Sequence, residues 1–287
     1  MLIEGDVPGL FSAPFKIGPT YFSQSGQTSV VLNAQDGRIG MIVRGKETAS
    51  ETAIHLFYVE KKADSSIWTS EAIEVNAAGV DGSSVYLTYG KDNTPWAVVQ
   101  EFTTTTNTGL HVLHRVGGSW DDLQLEADTT TNRVNVPAAV KISDGVSEHL
   151  AVSWNNFVGP SSGTQSVSVM GTMIDMTQTR LSAPPSQALL ESANNASLLV
   201  FPSLLAPANG LDGYVFGSEI FDKRAWIGRI TNGVFSALNP YLTDEKVMQS
   251  PTAFYAPCGE AQVVLETGEE ADRGDLAKTV RIETLAP

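Results

Sequence analysis

One short phrase occurs twice in this chain, and it limits what the chain can fold into. Gly9-Leu10-Phe11-Ser12-Ala13 near the N-terminus matches Gly233-Val234-Phe235-Ser236-Ala237 near the C-terminus. The later copy lies inside a recurring strand pattern. The earlier copy stands where the last repeat of that pattern lacks its final strand. A chain of this kind is expected to bring its ends together, with the first segment completing the last repeat.

Aligning the sequence with itself brings out the pattern, the first signal to seek in a long all-β chain. Ser29-Val30-Val31-Leu32 precedes a turn at Gln35-Asp36-Gly37, and Gly40-Met41-Ile42-Val43-Arg44 follows. Ser84-Val85-Tyr86-Leu87 precedes Lys91-Asp92-Asn93, and Trp96-Ala97-Val98-Val99-Gln100 follows. Each is a pair of apolar strands across an Asp-Gly or Asp-Asn turn, a strong short-range hairpin signal. Ile54 to Val59 and Leu110 to Arg115 supply third strands, and Trp68 and Trp120 open fourth strands. The unit is thus four antiparallel strands.

Weaker copies follow in step. The third runs through Ala138 to Ile142, the turn Ser143-Asp144-Gly145, His149 to Trp154, Ser166 to Met170 and a segment from Met176 to Leu181. The fourth runs through Ala188-Leu189-Leu190, Ser197 to Phe201, Trp226 to Ile230, the turn Asn232-Gly233 and Phe235. The fifth has Thr252 to Tyr255, Ala261 to Leu265 and Lys278 to Ile282, with Leu10 to Ile17 as the missing strand. Phe11, Trp68, Trp120 and Phe235 are spaced by 57, 52 and 115 residues, the last close to two periods. In 287 residues this gives five units. The expectation is an all-β, five-bladed β-propeller of four-stranded antiparallel blades, closed by the N-terminal strand. It forms a single domain with blades at about 28–77, 80–128, 136–183, 187–240, and 246–287 plus 9–17. A β-sandwich with chance hairpin similarity is the alternative.

On these strand patterns and Trp positions the chain resembles β-propeller repeat proteins of the sialidase-like (BNR-like) and lectin-like kind. Ser143-Asp144-Gly145 and Ser119-Trp120-Asp121-Asp122 are fragments of the Asp box of true sialidase repeats, and no arginine triad accompanies them. Sialidase activity is therefore not implied. Five-bladed glycoside hydrolases place acidic residues on the inner strands. Here the candidate inner strands offer Glu191 alone, where an acid and a base or nucleophile are needed.

The net charge of −14 disfavours a nucleic-acid backbone or an anionic membrane as partner. No apolar run approaches the roughly 20 residues of a membrane span. Cys258 is the single cysteine, so no intrachain disulfide forms. Met1 to Asp6 lacks the basic and apolar regions of a signal peptide, which points to a cytoplasmic protein or to a virion released by lysis.

The candidate binding residues come from two places. Asp36, Asp92, Asp144, Asn194 and Glu260 sit in the first-hairpin turns, which in a propeller share one face. A ring of oxygens there could hold a cation or a sugar, or it could be ordinary turn chemistry. Trp96 and Trp154, at the ends of second strands, suit sugar stacking, and Phe157 joins Trp154 from a loop spanning Asn155 to Thr164. That loop and an insertion from Pro202 to Asp212 are the expected interaction surfaces. His55 and His111 hold equivalent positions, as ligands or as packed structural histidines. Arg273-Gly274-Asp275 spells an integrin-type tripeptide, and Cys258 sits in a turn. Nucleophile triads, phosphate loops, zinc spacings and EF-hand loops are absent, so no catalytic residue, metal ligand or cofactor is expected. The functional expectation is a non-enzymatic structural or recognition propeller, a component of a viral (phage) particle that binds proteins or glycans. The alternatives are a five-bladed carbohydrate-active enzyme and a soluble lectin.

Overall fold

The computed structural model describes residues 21–22, 29–33, 35–46, 48, 50, 55–73, 81–102, 107–127, 129, 132–159, 166–178, 180–182, 184–192, 200–207, 209–219, 224–241, 246–247, 252–256, 258–268 and 278–285. These residues form β-strands and turns, with no helix among them. None therefore offers a helix long and apolar enough to cross a membrane. Five antiparallel sheets follow one another along the chain.

The first sheet contains β1 (Tyr21–Phe22), β2 (Ser29–Leu32), β3 (Ile39–Lys46), β4 (His55–Lys61) and β5 (Trp68–Ile73). β1 and β2 line one edge of β3, and β4 and β5 follow on the other. The second contains β6 (Asp81–Tyr89), β7 (Pro95–Phe102), β8 (Asn107–Val116) and β9 (Ser119–Ala127), in that order. The third contains β10 (Asn132–Ser143), β11 (Glu148–Val158), β12 (Ser166–Asp175) and β13 (Gln187–Ser192), again in order. The fourth contains β14 (Val200–Leu205), β15 (Gly213–Glu219), β16 (Ala225–Thr231), β17 (Val234–Phe235) and β18 (Asn239–Tyr241), the last two both paired with β16. The fifth contains β19 (Lys246–Val247), β20 (Thr252–Tyr255), β21 (Ala261–Gly268) and β22 (Lys278–Thr284). In it β21 pairs with β19, β20 and β22.

The turn chemistry works as the residue types require. The Asn232-Gly233 turn has φ of 50° and 74°, the pair of left-handed residues that a two-residue hairpin needs between Thr231 and Val234. Gly37, after Asp36, takes φ of 68°, and Asn93, after Asp92, takes 64°.

The chain forms two compact units, residues 1–106 with 113–122, and residues 107–112 with 123–287. In the first, Ile42, Leu56, Tyr58 and Ile73 of the first sheet pack with Leu87, Ala97, Val99 and Leu113 of the second. In the second unit, one core joins the third and fourth sheets through Ile142, Ala151, Val167, Val169, Leu189, Val215, Ile230, Phe235 and Leu238. Another joins the fourth and fifth through Leu205, Tyr214, Phe216, Ala225, Ala261, Val263, Leu265 and Leu285.

Several expectations change at the level of strands. The fourth strand of the third sheet is β13, not the segment from Met176 to Leu181, and it registers Val169 opposite Leu190. β12 ends at Asp175, whose carboxylate accepts the Thr177 amide and hydroxyl and turns the chain away. Pro184 and Pro185 then lack the amide donors a ladder needs. Beyond them Leu189 reaches the buried cluster with Val167 and Val169. The strand expected to open the fourth repeat therefore closes the third, and Glu191 stands exposed on it. The fourth sheet opens instead with β14, so Pro202 to Leu205 is strand rather than insertion loop. Pro202 fits there because β14 is the edge strand of its sheet. Likewise β11 extends through Asn155, Asn156, Phe157 and Val158, so this part of the expected loop is strand, and its residues 160–164 lie outside the described residues. Leu10 to Ile17, Phe11, Asn194 and Arg273-Gly274-Asp275 also lie outside them.

Candidate binding groove

The three turn aspartates are occupied by their own backbone. Asp36 accepts the Arg38 amide at 3.0 Å and pairs with its guanidinium at 3.2 Å. Asp144 accepts the Val146 and Ser147 amides at 2.9 and 2.7 Å, and those bonds, the Ser147 amide foremost, hold its carboxyl below the usual range. Asp92 accepts the Thr94 amide at 3.0 Å and hydroxyl at 2.5 Å. Burial pushes Asp92 up, but the Thr94 bonds outweigh it and its carboxyl lies below the usual range. In the first unit Asn33 donates to Asn93 at 2.8 Å, so the first two turns stand side by side. Among the described residues, no group of three or more His, Cys, Asp or Glu is placed to hold a metal ion.

Trp96 and Trp154, expected as stacking surfaces, are both 0% exposed, which leaves neither indole a face for a ligand. Trp96 instead stacks on His114, with ring centroids 3.9 Å apart and planes 19° apart. His114 Nε2 lies 3.0 Å from the Thr94 hydroxyl. That hydroxyl donates to Asp92, so it can only accept from His114, which fixes the Nε2–H tautomer. Burial lowers the His114 pKa, against the opposing pull of Asp92 and Asp121. Phe157 is half-buried against the third-sheet core, with the Arg133 guanidinium 5.7 Å from its ring centre. His111 and His114 are both buried, and His55 packs edge-on to Phe57 at 6.4 Å. Cys258 is exposed in its turn.

An open, polar, aromatic-lined surface occurs elsewhere, in the second unit, where the fourth and fifth sheets meet. A cavity of about 520 Å³ is lined by Tyr214, Arg229, Asn239, Tyr241 and Glu283, among others. A second, of about 420 Å³, is lined by Asp212, Arg229, Tyr255, Cys258 and Glu260, among others. Both include Tyr214, Arg229, Thr284 and Leu285, so they are two arms of one groove. Each arm has the size of a small-molecule site.

The sheets position these side chains by period-two alternation. On β21 the inward residues Ala261, Val263 and Leu265 build the floor, and Leu285 follows β22 into the same cluster. Tyr214 on β15 is buried at that floor, and Arg229 on β16 lies over its ring at 5.9 Å. The two are direct partners in the ladder between β15 and β16. The segment from Ser236 to Leu238 crosses close over Gly228, where a Cβ would come within 2.9 Å of Leu238. That close approach leads the chain into β18 and brings Tyr241 to the groove. The Tyr241 hydroxyl donates to Glu283 at 2.5 Å, and Glu283 also pairs with Arg281. Burial, then the Glu283 carboxylate, push the Tyr241 phenol up. Burial also pushes Tyr255 up, with Tyr214 and Asp212 adding to it. The groove therefore presents neutral phenols over a wide pH range.

Of the lining residues, Asp212, Cys258 and Glu260 fell in segments the sequence had marked, the insertion and the fifth hairpin turn, whereas the three tyrosines, Arg229 and Glu283 did not stand out. The one available signal was the alternation on Ala261 to Leu265, which marks an apolar floor without saying that a hollow lies above it.

Neither a protein family nor a curated protein matches the chain. Solved structures do resemble it. A polysaccharide lyase of family PL25, an ulvan lyase bound to -[GlcA(1-4)Rha3S]-, superimposes with a TM-score of 0.56 at 12% identity, over 97% of this chain and 76% of that one. A protein of unknown function from Dyadobacter fermentans gives 0.54 at 15% identity, over 94% and 80%. An α-L-arabinanase from Penicillium chrysogenum, complexed with arabinobiose, gives 0.54 at 12% identity, over 89% and 76%. At such identities the likeness speaks for the fold alone, which is all-β and propeller-like.

Proposed function

We propose that this protein is a glycan-binding propeller whose ligand lies in the groove between the fourth and fifth sheets. The observation that carries this is the groove itself: two joined arms of about 520 and 420 Å³ lined by Tyr214, Tyr241, Tyr255, Arg229 and Asn239. Tyrosines offer an apolar face with a polar tip, and amide and guanidinium groups supply directional hydrogen bonds, the combination a sugar ring requires. The carbohydrate-directed structures that share the fold are consistent with this reading. The expected test result is that an oligosaccharide binder from a glycan array loses about tenfold affinity with Arg229→Ala and again with Tyr255→Ala, by calorimetry. Affinity unchanged in both variants would remove the ligand from this groove.

The architecture proposed with it is a ring of five blades, completed by residues 10–17. Supporting it, β22 pairs only with β21 among the described residues, and Val280 and Ile282 on it are 68% and 60% exposed. An apolar strand edge left open invites aggregation, so covering it is favoured. Deleting residues 1–17 is expected to give an aggregating chain, and a cooperative melt near the full-length temperature would refute the closure.

Carbohydrate-active catalysis is a second reading, favoured by the Tyr241–Glu283 pair, a phenol and a carboxylate able to share a proton inside the larger arm. Release of reducing ends from any bound oligosaccharide, abolished in Glu283→Gln, would establish it. Incorporation in a viral particle rests on composition alone, and sedimentation of the native material decides it.

A further inference from the structure

Resting on the glycan reading of this groove, we infer that its ligand is an uncharged, extended oligosaccharide and that acidic polysaccharides are excluded. Two properties of the lining lead there, charge and continuity.

The carboxylates Asp212, Glu260 and Glu283 line the groove against one lining guanidinium, Arg229. Glu283 is offset by Arg281, two residues before it on β22, and occupied by the Tyr241 hydroxyl. Arg229 lies over the Tyr214 ring, with its own backbone amide donating to the Ser236 hydroxyl at 2.8 Å. In the smaller arm, Asp212 accepts the Asn232 amide at 2.9 Å, and Glu260 is exposed at the turn that carries Cys258. A uronate or sulfate entering that arm would meet two carboxylates with no cationic lining residue other than Arg229. The whole chain adds a field of −14. Like charges at short range discriminate against the wrong ligand more strongly than they affect the right one. A neutral sugar loses nothing to this field, and its hydroxyls can donate to those same carboxylates.

Continuity sets the length. The arms share Tyr214, Arg229, Thr284 and Leu285 at their junction, with Tyr241 on one side and Tyr255 on the other. A ligand reaching both outer tyrosines must cross the junction. One sugar ring cannot do so, since each arm alone has the volume of a whole small-molecule site.

The test is titration calorimetry of the full chain at physiological salt. The probes are disaccharides and pentasaccharides of glucose, mannose, xylose and arabinose, with pentameric oligogalacturonate and a sulfated pentasaccharide as acidic probes. A neutral pentasaccharide is expected to bind at least about tenfold more tightly than its own disaccharide, and at least about tenfold more tightly than either acidic probe. In the double variant Asp212→Asn, Glu260→Gln, the gap between neutral and acidic pentamers is expected to shrink about tenfold while neutral binding holds within a few-fold. Acidic probes binding as tightly as neutral ones, equal affinity for disaccharide and pentasaccharide, or a gap unmoved by the double variant would each overturn the inference while leaving glycan binding intact. Binding by no probe at all would overturn the glycan reading and this inference with it.

Discussion

Two seams between neighbouring sheets illustrate how similar ladders reach opposite ends. In the first unit, the seam of the first and second sheets is filled. Tyr58 and Tyr89 share a hydroxyl contact at 2.7 Å, Tyr58 donates to Glu60 at 2.8 Å, and Glu60 receives Arg38 at 3.0 Å. Beside them Trp120 donates to Glu71 at 2.8 Å, and Arg115 pairs with the same carboxylate at 2.7 Å. The hydroxyls and carboxylates of that group end on other side chains. In the second unit, the seam of the fourth and fifth sheets has an equally apolar floor but carries its tyrosines, Arg229 and carboxylates around an open groove. The difference is one of pairing. Tyr58, Tyr89, Arg38 and Glu60 bond to one another across the first seam, whereas Tyr214, Tyr241, Tyr255 and Arg229 line a groove in the second.

Mutations should separate the two seams, and the largest contrast comes from the buried indole. Trp96→Ala, in the first unit, is expected to cost about 3–5 kcal/mol in urea unfolding. Arg229→Ala in the groove should stay within about 0.5 kcal/mol, as exposed positions do. A smaller gap is expected between paired carboxylates. Glu60→Ala leaves Arg38 with Asp36 alone and Tyr58 with Tyr89 alone, and should cost about 2 kcal/mol. Glu283→Ala, beside water, should cost about 1 kcal/mol. Equal costs would mean that the groove is a structural seam rather than a site.

The smallest effects are in pH. Burial raises both Tyr58 and Tyr89, the latter to about 12. The folded state therefore holds protons that the unfolded chain releases near pH 10. Their contribution is complete below pH 10 and declines as pH rises from there toward 12, and Tyr58→Phe should flatten that decline. His114 behaves in the opposite sense. Its folded pKa is lowered, so its contribution is present above about pH 6.5 and fades as pH falls below that value. Trp96, stacked on it, reports the event, and its fluorescence should change with a midpoint below 6.5 that is absent in His114→Gln.

Local patterns carried much of the fold. The hairpins around Asp36-Gly37 and Asp92-Asn93 and the turn at Asn232-Gly233 form where their residues required, because left-handed φ and self-bonding aspartates are properties of a few adjacent residues. The strand from Gln187 to Ser192 went the other way. Nothing in Ala188-Leu189-Leu190 says whether it opens one sheet or closes the previous one. A buried place for Leu189 beside Val167 and Val169 chose between them. The candidate binding residues failed for the same cause. Trp96 and Trp154 have the chemistry of a sugar platform, but burial is a matter of neighbours far away in sequence.

By itself, then, the sequence determined an all-β chain of repeated antiparallel hairpins, the positions of its turns, and a net charge of −14. These follow from alternation, turn stereochemistry and charge, which act over a few residues or over the whole chain at once. Only the tertiary structure decided which aromatics are sealed and which line a hollow, because Tyr214, Arg229, Tyr241, Tyr255 and Glu283 come from five strands of two sheets. They meet through packing against a common floor, and no sequence spacing records that meeting.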